Sequence, residues 1–202
     1  MENISPSKVL FIKLGSAGAW EEECIEKEQT LRIGFNEFEH DDCIAGKWDI
    51  VRTYYKSIGT LPRWITTYIN QLQYFYEADE NTLWITFYKQ KMWWCFATKK
   101  FIGQGKELKL RKVKGKWQST DINGKDLFVE NLSGELLQTQ GYPSTICEVK
   151  AANYAVKKIN GEELPEVLKV KEVVQSLRNS LSFLVKKLTP KDFEVFVDLI
   201  FR

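Results

Sequence analysis

Apolar and polar positions alternate with period two from Thr82 to Ala97 (TLWITFYKQKMWWCFA), and the chain is organised around this stretch. Leu83, Ile85 and Phe87 alternate with Trp84, Thr86 and Tyr88. Past a polar break at Lys89, Gln90 and Lys91, Met92, Trp94 and Phe96 alternate with Trp93, Cys95 and Ala97. Alternation of this kind in β-favouring residues predicts the two strands of a hairpin. Large side chains fall on both sides of it, so both faces must be covered. A lone hairpin is marginal in water, and the flanking sequence must supply further strands and helices.

The flanking pattern supplies them. Val9–Leu14 (VLFIKL) predicts a first strand, and the run GSAGAW from Gly15 to Trp20 follows it. That run is either a binding loop whose backbone can approach a ligand or a plain turn into an acidic helix over Glu21–Lys27. It lacks the GxGxxG spacing and the βαβ setting of a dinucleotide fingerprint. Thr30–Phe35 predicts a second strand. Asp41 and Asp42 then stand at a helix start, with Ile44, Trp48, Val51 and Tyr55 at helical spacing up to Gly59. A further helix starts near Leu61 with Pro62 in its first turn. Its stripe of Trp64, Ile65, Tyr68, Ile69, Leu72 and Phe75 reads as core, as does Trp48. Arg63 and Gln71 beside that stripe either meet a ligand or are solvated.

After the hairpin, KELKLRKVKGK (Lys106–Lys116) carries six basic residues against one acid and predicts a strand with a basic outer face. Such a face either tracks a phosphate backbone or guards a sheet edge with lysines. Trp117–Val149 is rich in turn residues, with short strands at Leu127–Phe128 and Ser144–Cys147, and Ala151–Ile159 is a short helix stopped by Asn160-Gly161. Past Pro165 the character changes. Val167–Leu188 is a long amphipathic helix with lysines outside and Val170, Val174, Leu177, Leu181 and Leu184 inside. Thr189 as N-cap and Pro190 behind it start a last, strongly apolar helix, which suggests that the chain stops just inside a second domain. The expected division is 1–161 and 162–202.

Composition narrows the class. Of 202 residues, 44% are hydrophobic and 28% charged, as in a soluble globular protein rather than a disordered one. The net charge of +2 excludes nothing. No apolar run reaches the roughly 18 residues of a membrane span, and Met1–Pro6 lacks a signal-peptide layout, so a cytoplasmic protein without membrane contact is expected. Cys24, Cys43, Cys95 and Cys147 form no CxxC pair and read as buried free thiols, with neither zinc nor disulfides. His40, the one histidine, falls in a polar loop as a surface or capping residue, without the partners of a catalytic triad. The pairs Asp41-Asp42 and Glu21-Glu22 suit helix starts. No cofactor, metal ligand or catalytic residue is expected in this stretch of chain.

The residues LTPKDFEVFVDLIFR at the end resemble the opening helix of the Mrr-type restriction endonuclease domain, whose PD-(D/E)xK nuclease core would follow beyond Arg202. Upstream, FIKLGSAGAWEEECIEKEQTLRIGF, the aromatic hairpin and GKWQSTDINGKDLFVENLSGELLQTQGYPSTICEV resemble the region found ahead of that nuclease domain. Their element order is similar to the PUA-like superfamily of EVE, YTH and SRA domains, which read modified bases.

The resemblance implies an α+β fold, a PUA-like twisted, partly closed β-barrel flanked by helices and followed by C-terminal linker helices. It implies double-stranded DNA with modified bases, modified cytosine above all, as partner, and a homo-oligomer through the C-terminal helices. The base would be flipped out, at a cost of a few kcal/mol that stacking on rings, about 1 to 3 kcal/mol per base, can offset. The pocket would form where Gly15–Trp20 meets Trp117–Asp121, with Ser16 or Asp121 on the base edge, Trp20 and Trp117 as walls and Trp84 as a further ring. Arg63, Lys106, Lys109, Arg111, Lys112, Lys114 and Lys116 would hold the backbone. An RNA-binding or modified-RNA-binding module and a protein-interaction or oligomerisation domain are the alternatives.

Overall fold

The computed structural model describes residues 2–162 and 165–200. Its strands and helices, in chain order, are β1 (Lys8–Ile12), β2 (Thr30–Arg32), α1 (His40–Ile44), α2 (Trp48–Ser57), α3 (Pro62–Glu77), β3 (Thr82–Tyr88), β4 (Lys91–Gln104), β5 (Leu108–Val113), α4 (Gly134–Leu137), β6 (Ile146–Glu148), α5 (Ala152–Ile159), α6 (Pro165–Lys187) and α7 (Pro190–Ile200). The chain divides into two compact units, 1–161 and 162–202.

The first unit is α+β, built on a six-stranded mixed sheet in the order β2-β5-β4-β3-β1-β6. β1 runs parallel to β3, and the other pairs are antiparallel. The series is open, ending at β2 and β6. The central hairpin turns on Lys89 and Gln90, both at positive φ (47° and 59°), the two-residue geometry that matches strand twist. β4 is longer than its alternation suggested, because it serves two partners. Its first half pairs with β3, its second with β5, and the register shifts between Ala97 and Phe101. The irregularity lets one strand bend between two neighbours.

Alternation sends successive side chains to opposite cores, as the hairpin pattern required. Leu10, Ile12, Trp84, Cys95, Ala97 and Val113 lie under α1, α2 and α3. Val9, Phe11, Leu83, Ile85, Met92 and Trp94 are covered on the other face by Leu127, Leu136, Ala155 and Ile159.

Several local expectations change. Leu127–Phe128 forms no strand, and Phe128 makes an isolated bridge to Lys91. The acidic segment winds as a π-helix over Glu22–Glu28, ended by Gln29 in the left-handed region. The helix expected up to Gly59 is two helices, because Gly46 at φ 65° reverses the chain between α1 and α2. His40 is not a surface residue: it is buried on α1, with Nδ1 2.9 Å from the Tyr76 hydroxyl. The cysteines are free, three of them buried and Cys147 half-buried, and burial pushes the Cys24, Cys43 and Cys147 thiols up to about 11.

The second unit holds α6 and α7. At the start of α7, the Asp192 N–H donates to Thr189 Oγ1 at 3.3 Å and the Thr189 N–H donates to Asp192 Oδ2 at 3.4 Å, which closes a capping box, and the Thr189 hydroxyl adds a bond to the same carboxylate at 2.6 Å. Val170, Val174, Leu177, Leu181 and Leu184, expected inside, are exposed. Residues 163 and 164 of the expected boundary, and the last two of the endonuclease-like segment, lie outside the described residues. Among the described residues no helix is long and apolar enough to cross a membrane.

Candidate aromatic cleft

A cleft of about 570 Å³ opens beside the sheet, within the usual range for small-ligand sites. Its walls are Gly34, Phe35 and Glu37 after β2, Tyr55 of α2, Trp64, Thr67, Tyr68 and Gln71 of α3, and Pro143–Thr145 before β6. Strand pairing lasts one residue past β2, where the Ile33 N–H donates to the Lys109 carbonyl at 3.2 Å. The chain then leaves the sheet at Gly34 and Phe35. Phe35 adopts φ 63°, a left-handed conformation that costs a non-glycine residue of order 1 to 3 kcal/mol and persists only where its surroundings fix it. Its ring meets Tyr68 edge-on at 6.2 Å, and Tyr68 lies 4.6 Å from Tyr55 at a 37° tilt. Trp64 is 38% exposed and completes the aromatic lining.

The polar side of the cleft is built on Gln71, which is only 3% exposed. Its Oε1 accepts from the Thr145 N–H at 2.7 Å and the Ile146 N–H at 3.3 Å, while Nε2 donates to the Thr67 carbonyl at 3.2 Å. Those bonds tie α3 to the entry of β6 and set the amide's orientation. Burial, reinforced by the Glu37 carboxylate, holds the Tyr55 hydroxyl above the ordinary tyrosine range, so it stays neutral. At the rim, the Arg63 guanidinium lies 5.6 Å from the Trp64 ring centre.

The pocket expected between Gly15–Trp20 and Trp117–Asp121 is not assembled as foreseen. Ser16 is exposed in a single 3-10 turn, and Trp20 is half-buried against the core with the Arg32 guanidinium 4.4 Å over its ring. Trp84 is wholly buried in the sheet. Trp117 is core as well: its indole N–H donates to the Thr30 carbonyl at 3.1 Å and its backbone N–H to Gln29 Oε1 at 2.7 Å. Asp121 is buried and accepts the Asn123 and Lys125 N–H groups at 2.8 and 2.9 Å, so its carboxylate holds a turn. Trp20 nevertheless backs the cleft, since a Cβ on Gly34 would stand 3.9 Å from its Cη2.

The basic face of β5 is inverted. Lys109 and Arg111 share parity with Val113, whose side chain belongs to the core, and both are fully buried. Lys109 donates to the Lys106 carbonyl, and burial lowers its pKa. Arg111 spends its donors on five backbone carbonyls. Lys112 is half-buried, with Nζ 3.3 Å from the Glu28 carbonyl. Arg63, Lys106, Lys114 and Lys116 remain exposed.

The grouping of Phe35, Tyr55, Trp64 and Tyr68 has no signature along the chain. Tyr55, Trp64 and Tyr68 sit at helical spacing, where cleft and core positions look alike. The left-handed residue is Phe35 itself and not the neighbouring Gly34, so the glycine does not mark it. Among the described residues no group of three or more His, Cys, Asp or Glu is placed to hold a metal ion. Set against known protein families, curated proteins and solved structures, the chain matches none.

Proposed function

We propose that residues 1–161 form a PUA-like module that reads a modified base extruded from duplex DNA into the cleft of Phe35, Tyr55, Trp64 and Tyr68. The observation that carries this reading is the pairing of four rings with one buried, oriented amide in a cleft of small-ligand size. Rings accept any base face, whereas specificity needs a few fixed polar groups. Thr67 accepts one Gln71 N–H, leaving the second as the donor for a base edge, with the Ser144 and Thr145 hydroxyls beside it. Trp20 stands behind Gly34 of the cleft, and Trp117 is core rather than a wall.

The exposed cations Arg63, Lys106, Lys114 and Lys116 are assigned to phosphates. Residues 162–202 are read as the link to an Mrr-type nuclease domain, and the whole as the specificity part of a modification-dependent restriction enzyme. No catalytic step is assigned to these residues.

Fluorescence polarisation across unmodified, cytosine-modified and adenine-modified duplexes and single-stranded RNA tests the reading. Tighter, salt-sensitive binding to one modified duplex is expected, with the preference lost in Trp64→Ala. Equal affinity for modified and unmodified duplexes overturns it, and a preference for RNA transfers the cleft to the RNA-reading alternative.

A further inference from the structure

We infer that α6 pairs with the same helix of a second copy of this chain as a parallel, two-stranded coiled coil. The inference rests on the second unit alone and is independent of base reading. Val167, Val170, Val174, Leu177, Leu181, Leu184 and Leu188 recur at alternating steps of three and four, the a and d positions of a heptad held through three repeats. All but Leu188 lie on one unbroken 23-residue helix, and every one of the seven is between 36% and 62% exposed. A strict seven-residue repeat departs from the helix's own 3.6-residue period, so the stripe stays in line only when two helices supercoil around it. Val173 at g and Val185 at e flank the stripe, the positions that close over the seam of a supercoiled pair.

The other candidate cover within this unit is too short. α6 extends about 34 Å at 1.5 Å per residue, whereas the 11 residues of α7 extend about 16 Å. α7 also keeps apolar residues of its own exposed, Phe193 and Leu199 among them.

The residues at a and d set strand number and direction. At a, Val167 and Val174 are β-branched while Leu181 and Leu188 are not, and at d, Leu177 and Leu184 are leucine while Val170 is not, so the pairing that favours two parallel strands is met at Val174–Leu177 and direction is argued from the flanking charge. In a parallel pair the e positions face g of the partner helix, so Arg178 meets Val173. In an antiparallel pair e faces e, and because the stripe is centred between Leu177 and Arg178, Arg178 would meet its own like charge.

Light scattering on the full chain is expected to give twice the 23.6 kDa chain mass. Leu177→Asp combined with Leu184→Asp is expected to give the single-chain mass while leaving the melting of the first unit unchanged, since these side chains are exposed. Leu184→Cys, oxidised beside the wild-type chain to account for Cys147, is expected to yield a dimer bridged at residue 184, which an antiparallel pair would hold far from its mate. A monomeric wild-type chain, a larger multiple, a dimer that survives both aspartates, or no bridge at residue 184 overturns the assignment.

Discussion

The Arg111 guanidinium reaches from β5 to the end of α3, where it donates to the Phe75 carbonyl at 3.0 Å. It also donates to Ala78 and Thr98, each at 2.7 Å, and to Asp79 and Ala97 at 3.4 Å. The last carbonyls of a helix have no partners within it and carry its negative dipole end, so a buried cation there satisfies both. The carbonyls of Ala97 and Thr98 come from the irregular stretch of β4, which gives the bend its reason: the strand turns two acceptors toward the guanidinium. Burial lowers the Arg111 pKa to about 10, which leaves it charged at neutral pH.

Replacing Arg111 with Met should therefore cost at least about 3 kcal/mol, because several buried carbonyls lose their donors at about 1 to 3 kcal/mol each. Arg111→Lys should recover only part, since a single ammonium cannot span the fork that joins α3 to β4. Denaturant melts of both variants check this. A loss under about 0.5 kcal/mol for the Met variant would mean that the carbonyls find other donors.

Phosphate contact should follow exposure rather than the basic run. Charge reversal at Lys106, Lys114 and Lys116 is expected to weaken duplex binding for every sequence and to reduce the salt slope by about one for each phosphate no longer neutralised. The same reversal at Lys109 should unfold the protein, because that ammonium is enclosed. Titrations at several salt concentrations, each paired with a melt, separate the outcomes. An unchanged slope in the triple variant would place the backbone path elsewhere.

The hairpin, its two covered faces, the start of α3 and the capping box at Thr189 were legible because each has a local cause: period-two alternation, proline at a first helical turn, Thr189 three residues before Asp192. The face of β5 was not, since a buried arginine and a solvated one read alike until the carbonyls that need it are known. Those carbonyls lie 36 residues away on α3 and 14 away on β4. The cleft was hidden for a similar reason. Its rings come from three separated segments, and tertiary placement alone distinguishes Trp64 at the rim from Leu72 in the core.

His40 offers a pH test. Burial holds its imidazole below the ordinary 6.5, against the opposing pull of the Asp41 carboxylate. A base with a depressed folded pKa releases protons on folding. Stability is thus complete above about pH 6.5, falls as pH drops through that value and levels off below the folded pKa. His40 is the single histidine and ordinary carboxylates titrate near pH 4; Glu21, whose carboxyl pKa burial raises, is a carboxylate that reaches toward this interval, so the variant isolates the imidazole's share. Melting temperature should decline from about pH 7 to pH 5, and His40→Gln should flatten the decline. An equal decline in the variant would assign it to another group.

The aromatic cleft makes the sharpest separation between binding and folding. Trp64 is at the rim and more than one third exposed, so Trp64→Ala should leave melting within about 1 kcal/mol of wild type while removing about 1 to 3 kcal/mol of modified-base affinity. Trp84 and Trp117 are enclosed, and Trp117 further closes Thr30 and Gln29 onto the end of β5. Their alanine variants should lose about 3 to 5 kcal/mol of stability. Phe35→Gly supplies the crossed case: glycine accepts φ 63° without strain, so the backbone gains what the lost ring gives up, and binding should fall more than stability does. Measuring melting and duplex polarisation on all four variants decides the matter. If Trp64→Ala and Phe35→Gly keep the full preference for a modified duplex, the cleft is not where the base is read.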